Sequence, residues 1–207
     1  MSAVTGESKR RTQQERRAET EQRVLHAATA LIARNGSRSV SLAEVGRLAG
    51  YSRGIVHHHF GSREQLLAAV VRHAQRFDLP AVEGGGLARI TALVSTYLVN
   101  LRDRAPASQA FLLLWAESMA SDPVLGPLFA ERDAWFRERL TDDIRAGIED
   151  GTVRSDVDPP SVAISLAGLL RGIGMQLLSA ADDPLLDRVT EQAVDLVHRS
   201  LAAPGGP

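Results

Sequence analysis

Apolar residues recur along most of the chain at the three- and four-residue spacing of an α-helix. This spacing predicts a first long helix from Thr12 to Asn35, which Gly36 ends. The apolar positions on one face of that helix are Val24, Leu25, Ala28, Leu31 and Ile32. No segment shows the alternation of apolar and polar residues that a half-buried strand requires. The pattern therefore predicts an all-α fold.

Three shorter helices are predicted next, and each follows a serine. Ser41 and Ser62 are each followed three residues later by Glu or Gln, the arrangement of a capping box. Ser52 can cap the helix between them, over Arg53–His59, and Gly50 ends the helix before it. Two short helices joined by a glycine-containing turn are typical of a helix-turn-helix unit.

Five further helices are predicted beyond a break at Asp78-Leu79-Pro80 and Gly84-Gly85-Gly86. Three of them are predicted to begin at an Asp-Pro pair, with aspartate as N-cap and proline at the first helical position. These pairs are Asp122-Pro123, Asp158-Pro159 and Asp183-Pro184. The predicted units are a flexible basic arm (1–11), a helix-turn-helix domain (12–77), a second helical domain (78–202) and a disordered tail (203–207).

The net charge of −1 is the sum of two unlike parts. Residues 1–77 hold 13 basic and 6 acidic side chains, a net charge of +7, and residues 78–207 hold 11 basic and 19 acidic ones, a net charge of −8. A basic first third suits a nucleic-acid partner, and an acidic remainder suits a different task.

Composition excludes several classes of function. The chain has no cysteine, which excludes disulfide scaffolds, thiolate metal sites and cysteine nucleophiles. No run of 18 apolar residues predicts a membrane span, and no apolar stretch follows the N-terminal charges as it would in a secretory signal. We therefore expect a cytoplasmic protein without a membrane partner, which associates with the nucleoid when it is bound to DNA.

A helix that enters the DNA major groove must present donors and small side chains to the base edges. The segment from Ser52 to His59 contains no acidic residue, and Gly54 allows a close approach to the DNA backbone. Arg63 lies in the first turn of its helix, where a cation is unfavourable for the helix dipole, so an external anion would explain it. The candidate DNA-binding residues are Ser41, Leu42, Ser52, Arg53, Gly54, Ile55, His57, His58 and Arg63.

The stretch Ser41–Leu67, SLAEVGRLAGYSRGIVHHHFGSREQLL, resembles the DNA-binding signature of the tetracycline-repressor (TetR) family of bacterial regulators. The resemblance implies a recognition helix at Ser52–His59 and phosphate contacts from the helix that starts near Ser62, with Arg63 in place of the usual lysine. Two positions depart from the family pattern. His57 stands where a tyrosine is usual, and Ile55 is apolar where many members carry a small polar residue.

Two features of the basic part have plainer interpretations. Consecutive helical side chains point about 100° apart, so His57, His58 and His59 cannot share a metal ion well, and we predict no metal site. We expect His59 to pack the small domain with Phe60 rather than to contact a base. The run Lys9-Arg10-Arg11 is either a solvated arm or a contact to phosphate or the minor groove.

The acidic part offers no nucleophile, base and orienting group at recognisable spacing, so we predict no enzyme and no cofactor. The resemblance implies a helical ligand-binding domain here, whose last two long helices form a dimer interface. The eighth helix is apolar nearly all round and rich in glycine, which favours a dimer contact, with core packing inside one subunit as the alternative. The candidate interface residues are Gly168, Gly172, Met175, Val194 and Val197.

A cluster of aromatic and sulfur-containing residues in the middle helices, with two polar residues of the eighth helix, could line a cavity for a small, hydrophobic effector. The candidates are Tyr97, Phe111, Trp115, Met119, Phe136, Arg171 and Gln176. The sequence thus predicts a homodimeric repressor that binds a near-palindromic operator and is released by a small molecule. The alternatives are an activator or protein-sensing regulator of the same fold, and a helical carrier or enzyme.

Overall fold

The computed structural model describes residues 12–74, 82–103, 105–120, 122–179 and 188–204. Within these ranges the chain forms nine α-helices and one 3₁₀ turn at Ser37–Ser39, which confirms the all-α prediction. The helices are α1 (Gln13–Asn35), α2 (Leu42–Ala49), α3 (Arg53–Phe60), α4 (Arg63–Ala74), α5 (Gly86–Arg102), α6 (Pro106–Ser118), α7 (Leu125–Glu149), α8 (Pro159–Ser179) and α9 (Val189–Leu201).

Side-chain caps fix the starts of the short helices. Ser62 and Gln65 form the predicted capping box, since each side chain accepts a hydrogen bond from the main-chain N–H of the other. Ser41 also accepts from the N–H of Glu44, at 3.1 Å. The second half of that predicted box is missing, because the Glu44 carboxylate pairs with Arg47 one turn on.

The two described Asp-Pro starts differ. Asp158 caps α8 as predicted, because its carboxylate accepts from the N–H of Ser161 and Pro159 is the first helical residue. At the start of α7, Asp122 accepts from two main-chain N–H groups at 2.8 Å, and the regular helix begins at Leu125 rather than at Pro123.

Several predictions fall outside the described residues. They concern the arm at 1–11, the break at Asp78-Leu79-Pro80 and the helix start at Asp183-Pro184. The described part of the ninth helix begins at Val189.

Two hydrophobic cores organise the helices. The first lies among α1–α4 and also takes in side chains of α6 and of the start of α7, including Phe111, Leu125 and Phe129. The second lies among α5, α7, α8 and α9. Trp115 packs against both cores. The predicted helix-turn-helix unit therefore shares a buried wall with the rest of the chain, and the division near residue 78 stays a prediction about sequence.

The two ends of the second core differ, and hydrogen bonds close the end away from α1–α4. The N–H of Gly86 donates to the Asp150 carboxylate at 2.7 Å, and the N–H of Leu87 donates to the Thr152 hydroxyl at 3.2 Å. The N–H of Ala203 donates to the carbonyl of Thr152 at 3.1 Å. We call this group of five residues the distal clamp. Ala203, the first residue of the predicted tail, is thereby tied to the turn after α7, and the disorder of the tail stays a prediction.

Candidate nucleic-acid interface and sensor cavity

The turn between α2 and α3 sets the direction of the recognition helix. Gly50 ends α2 in the left-handed conformation, at φ +79°. A Cβ atom on Gly46 would lie only 2.8 Å from the carbonyl oxygen of Tyr51, so the chain can turn this tightly only because that residue is glycine. Ser52 then caps α3 by accepting from the N–H of Ile55.

α3 turns almost all of its side chains outward. Val56 is its one fully buried residue, and no acidic side chain lies along the helix. The predicted DNA-binding residues that are exposed to solvent on α3 and its cap are Ser52, Arg53, Gly54, Ile55, His57 and His58. Their placement matches what a base-reading surface needs, although their contacts to DNA remain predictions.

Two predicted DNA-binding residues have a different environment. The side chain of Leu42 is buried in the first core, so a contact of this residue with DNA would have to come from its main chain, at the start of α2. Arg63 is half-buried, and it donates to the carbonyl of Val40 at 2.9 Å and to that of Ser37 at 2.8 Å. The cation at this helix start thus holds the turn before α2, a role that the sequence did not indicate.

The histidines of α3 do not gather around a common point. His59 is 11% exposed and packs beside Phe60, as expected, with its Nδ1 3.7 Å from the Glu21 carboxylate. The rings of His58 and His59 stand edge to face, with centroids 5.7 Å apart. Among the described residues, no group of three or more potential ligand side chains could hold a metal ion.

A small cavity lies where α5, α6, α7 and α8 meet. Its lining residues are Tyr97, Phe111, Arg132, Asp133, Phe136, Ala167, Leu170 and Arg171. The free space is about 20 Å³, enough for about one water molecule. A larger guest would therefore have to displace side chains.

Charged groups share this cavity with aromatic ones. Arg171 forms an ion pair with one oxygen of Asp133, and the indole N–H of Trp115 donates to the other oxygen at 3.3 Å. Arg132 is 8% exposed, and burial lowers its pKa to about 10. Burial also raises the pKa of Tyr97 to about 12, so its phenol keeps its proton at neutral pH.

The structure brings together four of the seven predicted ligand residues, which are Tyr97, Phe111, Phe136 and Arg171. Trp115 stands just behind them and holds Asp133. The other two candidates lie outside the lining of this cavity, and their contact with a ligand stays a prediction. Met119 is 64% exposed at the end of α6, and Gln176 is exposed on α8.

Sequence reasoning missed Arg132 and Asp133, which supply the charge of the cavity, and Ala167 and Leu170, which supply part of its wall. The one available signal was the position of the charged pair, because Arg132 follows the buried Phe129 at helical spacing and so falls on the inner face of α7.

A chain of contacts joins the cavity to the helix-turn-helix unit. Phe111 lines the cavity and is also part of the first core, where its ring lies 5.3 Å from that of Phe129. On the same helix, the Glu117 carboxylate accepts from the N–H of Ser37 at 3.0 Å, in the turn that Arg63 also holds. α6 is thus in direct contact with both regions.

One face of α8 and part of α9 are apolar and exposed. Ile164, Gly168, Gly172 and Met175 are exposed on α8, and Leu196, 55% exposed, is an exposed apolar residue of α9. We call these five residues the outer face. A Cβ atom on Gly168 or Gly172 would meet nothing within 4 Å, so both glycines are unexplained inside one subunit.

The remaining predicted interface residues lie inward. Val197 is 2% exposed in the second core, so its assignment to the interface was wrong. Val194 is half-buried against the same core. Gly174 is also internal, since a Cβ there would lie 2.8 Å from the Leu101 Cδ1 atom.

The length and composition of α8 alone would allow it to cross a membrane, the one such helix in the described ranges. A third of its most apolar window is buried in this structure, where α8 packs against α5, α6 and α7.

Residues 24–70 match the family model for bacterial regulatory proteins of the tetR family, and residues 86–202 match that for the C-terminal part of BetI-type transcriptional repressors. The HTH-type transcriptional regulator BetI of Pseudomonas aeruginosa is 27% identical over 191 residues, covering 88% of this chain and 93% of BetI. The HTH-type transcriptional repressor KstR2 of Rhodococcus jostii is 24% identical over 210 residues, covering 97% and 95%.

Among solved structures, a transcriptional regulator from Saccharomonospora viridis in complex with choline has a similar fold. Its TM-score is 0.75 at 24% identity, and the match covers 90% of this chain and all of that one.

Proposed function

We propose how this chain controls transcription. The chain belongs to the TetR family of bacterial regulatory proteins and is a ligand-responsive, DNA-binding transcriptional repressor. Two copies form a dimer, and their α3 helices enter successive major grooves about 34 Å apart on a near-palindromic operator. A small effector with apolar surface enters the cavity between α5 and α8 and releases the DNA. The protein acts in the cytoplasm, on the nucleoid.

The observation that carries the DNA-binding proposal is the outward face of α3. An exposed helix with arginine, two histidines and a glycine, and no carboxylate, matches the donors that the major groove accepts. Arg53 can form paired hydrogen bonds with a guanine, and Ile55 can pack on a thymine methyl group. The N–H groups at the starts of α2 and α4 add phosphate contacts, which fix the register.

The outer face supports the dimer proposal. A helix that exposes Ile164 and Met175 together with two glycines invites another helix to approach closely, because glycine removes the side chain that would keep the backbones apart. A second copy supplies the same surface, so a two-fold axis through α8 and α9 buries both at once. The dimer fixes the separation of the two α3 helices.

Contacts through α6 support the coupling. An effector larger than the 20 Å³ of free space must push on the cavity walls, and Phe111 is a wall that also belongs to the core around α1–α4. The Glu117–Ser37 hydrogen bond lies on the same helix. The effector therefore binds better when α6 has moved, and this differential affinity shifts the population away from the spacing that DNA requires.

Footprinting on the DNA that flanks the protein's own gene tests the proposal. We expect a protected, near-palindromic site whose half-site centres are one helical turn apart, or a multiple of it. Binding should weaken steeply with salt, because phosphate contacts release counterions. Folded, dimeric protein that retains no specific band at low salt would refute the proposal.

A further inference from the structure

Arg132 is a buried cation that forms no ion pair with any acidic side chain of the described residues. Its Nε and Nη1 atoms are buried and have no hydrogen-bond partner within the described chain. Another buried charge on α7 does have partners: the carboxylate of Asp143 forms ion pairs with Arg89 at 2.9 Å and with Arg139 at 3.0 Å. An uncompensated buried charge costs stability, so its retention calls for a function.

The neighbouring carboxylate does not balance Arg132. Both oxygens of Asp133 are already engaged, one by Arg171 and the other by the indole of Trp115. The cavity therefore holds two guanidinium groups and one carboxylate, a net charge of +1. With its pKa at about 10, Arg132 remains protonated at neutral pH.

The same arginines cover the aromatic rings of the site. The guanidinium carbon of Arg132 lies 5.3 Å from the ring centre of Phe136 and 5.8 Å from that of Phe111, and Arg171 lies 4.6 Å from that of Trp115. A quaternary ammonium ligand needs such ring faces for its own charge. Here it would find them occupied by cations that repel it.

From these contacts we infer that the effector, whose existence rests on the proposed function, is a small organic carboxylate. Its head accepts hydrogen bonds from the unpartnered N–H groups of Arg132, which are suited to carboxylate oxygens. Its short apolar body packs against Phe136 and Leu170. The ligand neutralises the cavity, and its body supplies the volume that displaces Phe111.

Matched ligands test the sign of the charge. Full-length protein is titrated with hexanoate, benzoate and phenylacetate, with the amide of each, and with tetramethylammonium, by calorimetry and thermal shift. We expect at least one carboxylate to bind at millimolar concentrations, to raise Tm, and to weaken the operator complex in a mobility-shift assay. Its amide should bind about 10- to 100-fold more weakly, the range for hydrogen bonds to a charged group.

Variants test the residue. Arg132→Gln should lower carboxylate affinity by about 10- to 100-fold, and Arg132→Lys, which keeps the charge without the planar fork, should lie between. Arg145→Gln is the matched control, because Arg145 is exposed on the same helix and pairs with Asp142. Arg132→Met gives an independent readout, since removal of the unpartnered charge should raise the Tm of the ligand-free protein. A lowered Tm would instead assign Arg132 to holding the rings together, and would overturn the inference.

The inference is also overturned if no carboxylate binds, if an amide or tetramethylammonium binds as well, or if Arg132→Gln retains full affinity. Operator binding, measured on the same wild-type samples, distinguishes failure of the effector proposal from failure of the proposed function. Protein that binds its operator but ignores carboxylates disproves the effector class alone, whereas protein that binds no operator disproves the proposed function.

Discussion

Arginine has opposite environments in the two functional regions. On α3, Arg53 extends into solvent, where a charge costs nothing and awaits a partner on another molecule. On α7, Arg132 is enclosed by aromatic rings, where its charge is expensive until a partner arrives. The exposed surface of α3 can contact a long polyanion such as DNA directly. The enclosed site around Arg132 can only respond to a ligand small enough to enter, and so is suited to sensing.

The largest effect is expected from a variant that disrupts the dimer but leaves the DNA-binding surface of α3 intact. Leu196→Asp should break the dimer by burying a charge at the outer face, while leaving α3 unchanged. Because linkage of two half-sites multiplies affinity by about 10²- to 10⁴-fold, operator binding should fall by a similar factor at dilute protein. Analytical ultracentrifugation and mobility shift measure the two consequences.

Met119→Asp is the control, since Met119 is at least as exposed but lies away from the outer face. A Leu196→Asp protein that stays dimeric would move the interface elsewhere.

The next effect concerns the reading surface itself. Arg53→Ala should cost about 1–3 kcal/mol for each half-site, which is about 5- to 150-fold in affinity per half-site, with no change in Tm because the side chain is exposed. Competition binding against operators altered one base pair at a time would show relaxed specificity at one position. If the wild-type protein binds all of the altered operators as tightly as the original operator, Arg53 does not read a base.

A third prediction separates two kinds of glycine on α8. Gly174→Ala should destabilise the subunit by about 1–3 kcal/mol, because the new Cβ atom meets Leu101 and Leu112. Gly168→Ala finds open space within the subunit and gains helix propensity of up to about 1 kcal/mol there, but it should weaken the dimer. Denaturation measured at several protein concentrations distinguishes these results. A loss of monomer stability in Gly168→Ala would contradict the exposed placement of that glycine.

The smallest effect lies at the junction of the two regions. Glu117→Gln keeps the size of the side chain but weakens its acceptor for the N–H of Ser37, at a cost of about 1 kcal/mol. Operator affinity should change little, whereas the amount of effector needed to release DNA should change. Titration of the operator complex with effector measures this. An unchanged release curve would remove Glu117 from the coupling path.

The comparison also explains what the sequence could predict. The signals for the recognition helix are close together in sequence: Ser52 caps the helix, Gly50 precedes it, and eight consecutive residues carry its chemistry. The helix could therefore be predicted from the sequence alone. The cavity draws its walls from four helices that are far apart in sequence. Aromatic residues were visible as a cluster, but Met119 lies one turn too far along α6 to reach the cavity, and only packing could reveal that.

The orientation of polar groups was harder still to predict. Arg63 lies at a helix start, where an external anion was the simplest partner. Its guanidinium instead donates hydrogen bonds to the carbonyl groups of Ser37 and Val40, in the turn before α2. Nothing in the local sequence shows that the turn at Ser37–Ser39 folds back onto α4. A contact of this kind depends on the path of the chain, which periodicity does not encode.

The distal clamp gives α7 the mechanics of a lever. The helix runs from Leu125, in the core beside α1–α4, past Arg132 at the cavity, to Asp150, whose hydrogen bond with Gly86 anchors the far end. At 1.5 Å per residue, its fulcrum lies about 37 Å from the end nearest the DNA. A tilt of about 5° at the anchored end then becomes a displacement of about 3 Å at Leu125. Binding of the proposed carboxylate, a molecule of a few atoms, would thereby produce a movement near the DNA as large as the rise of one base pair.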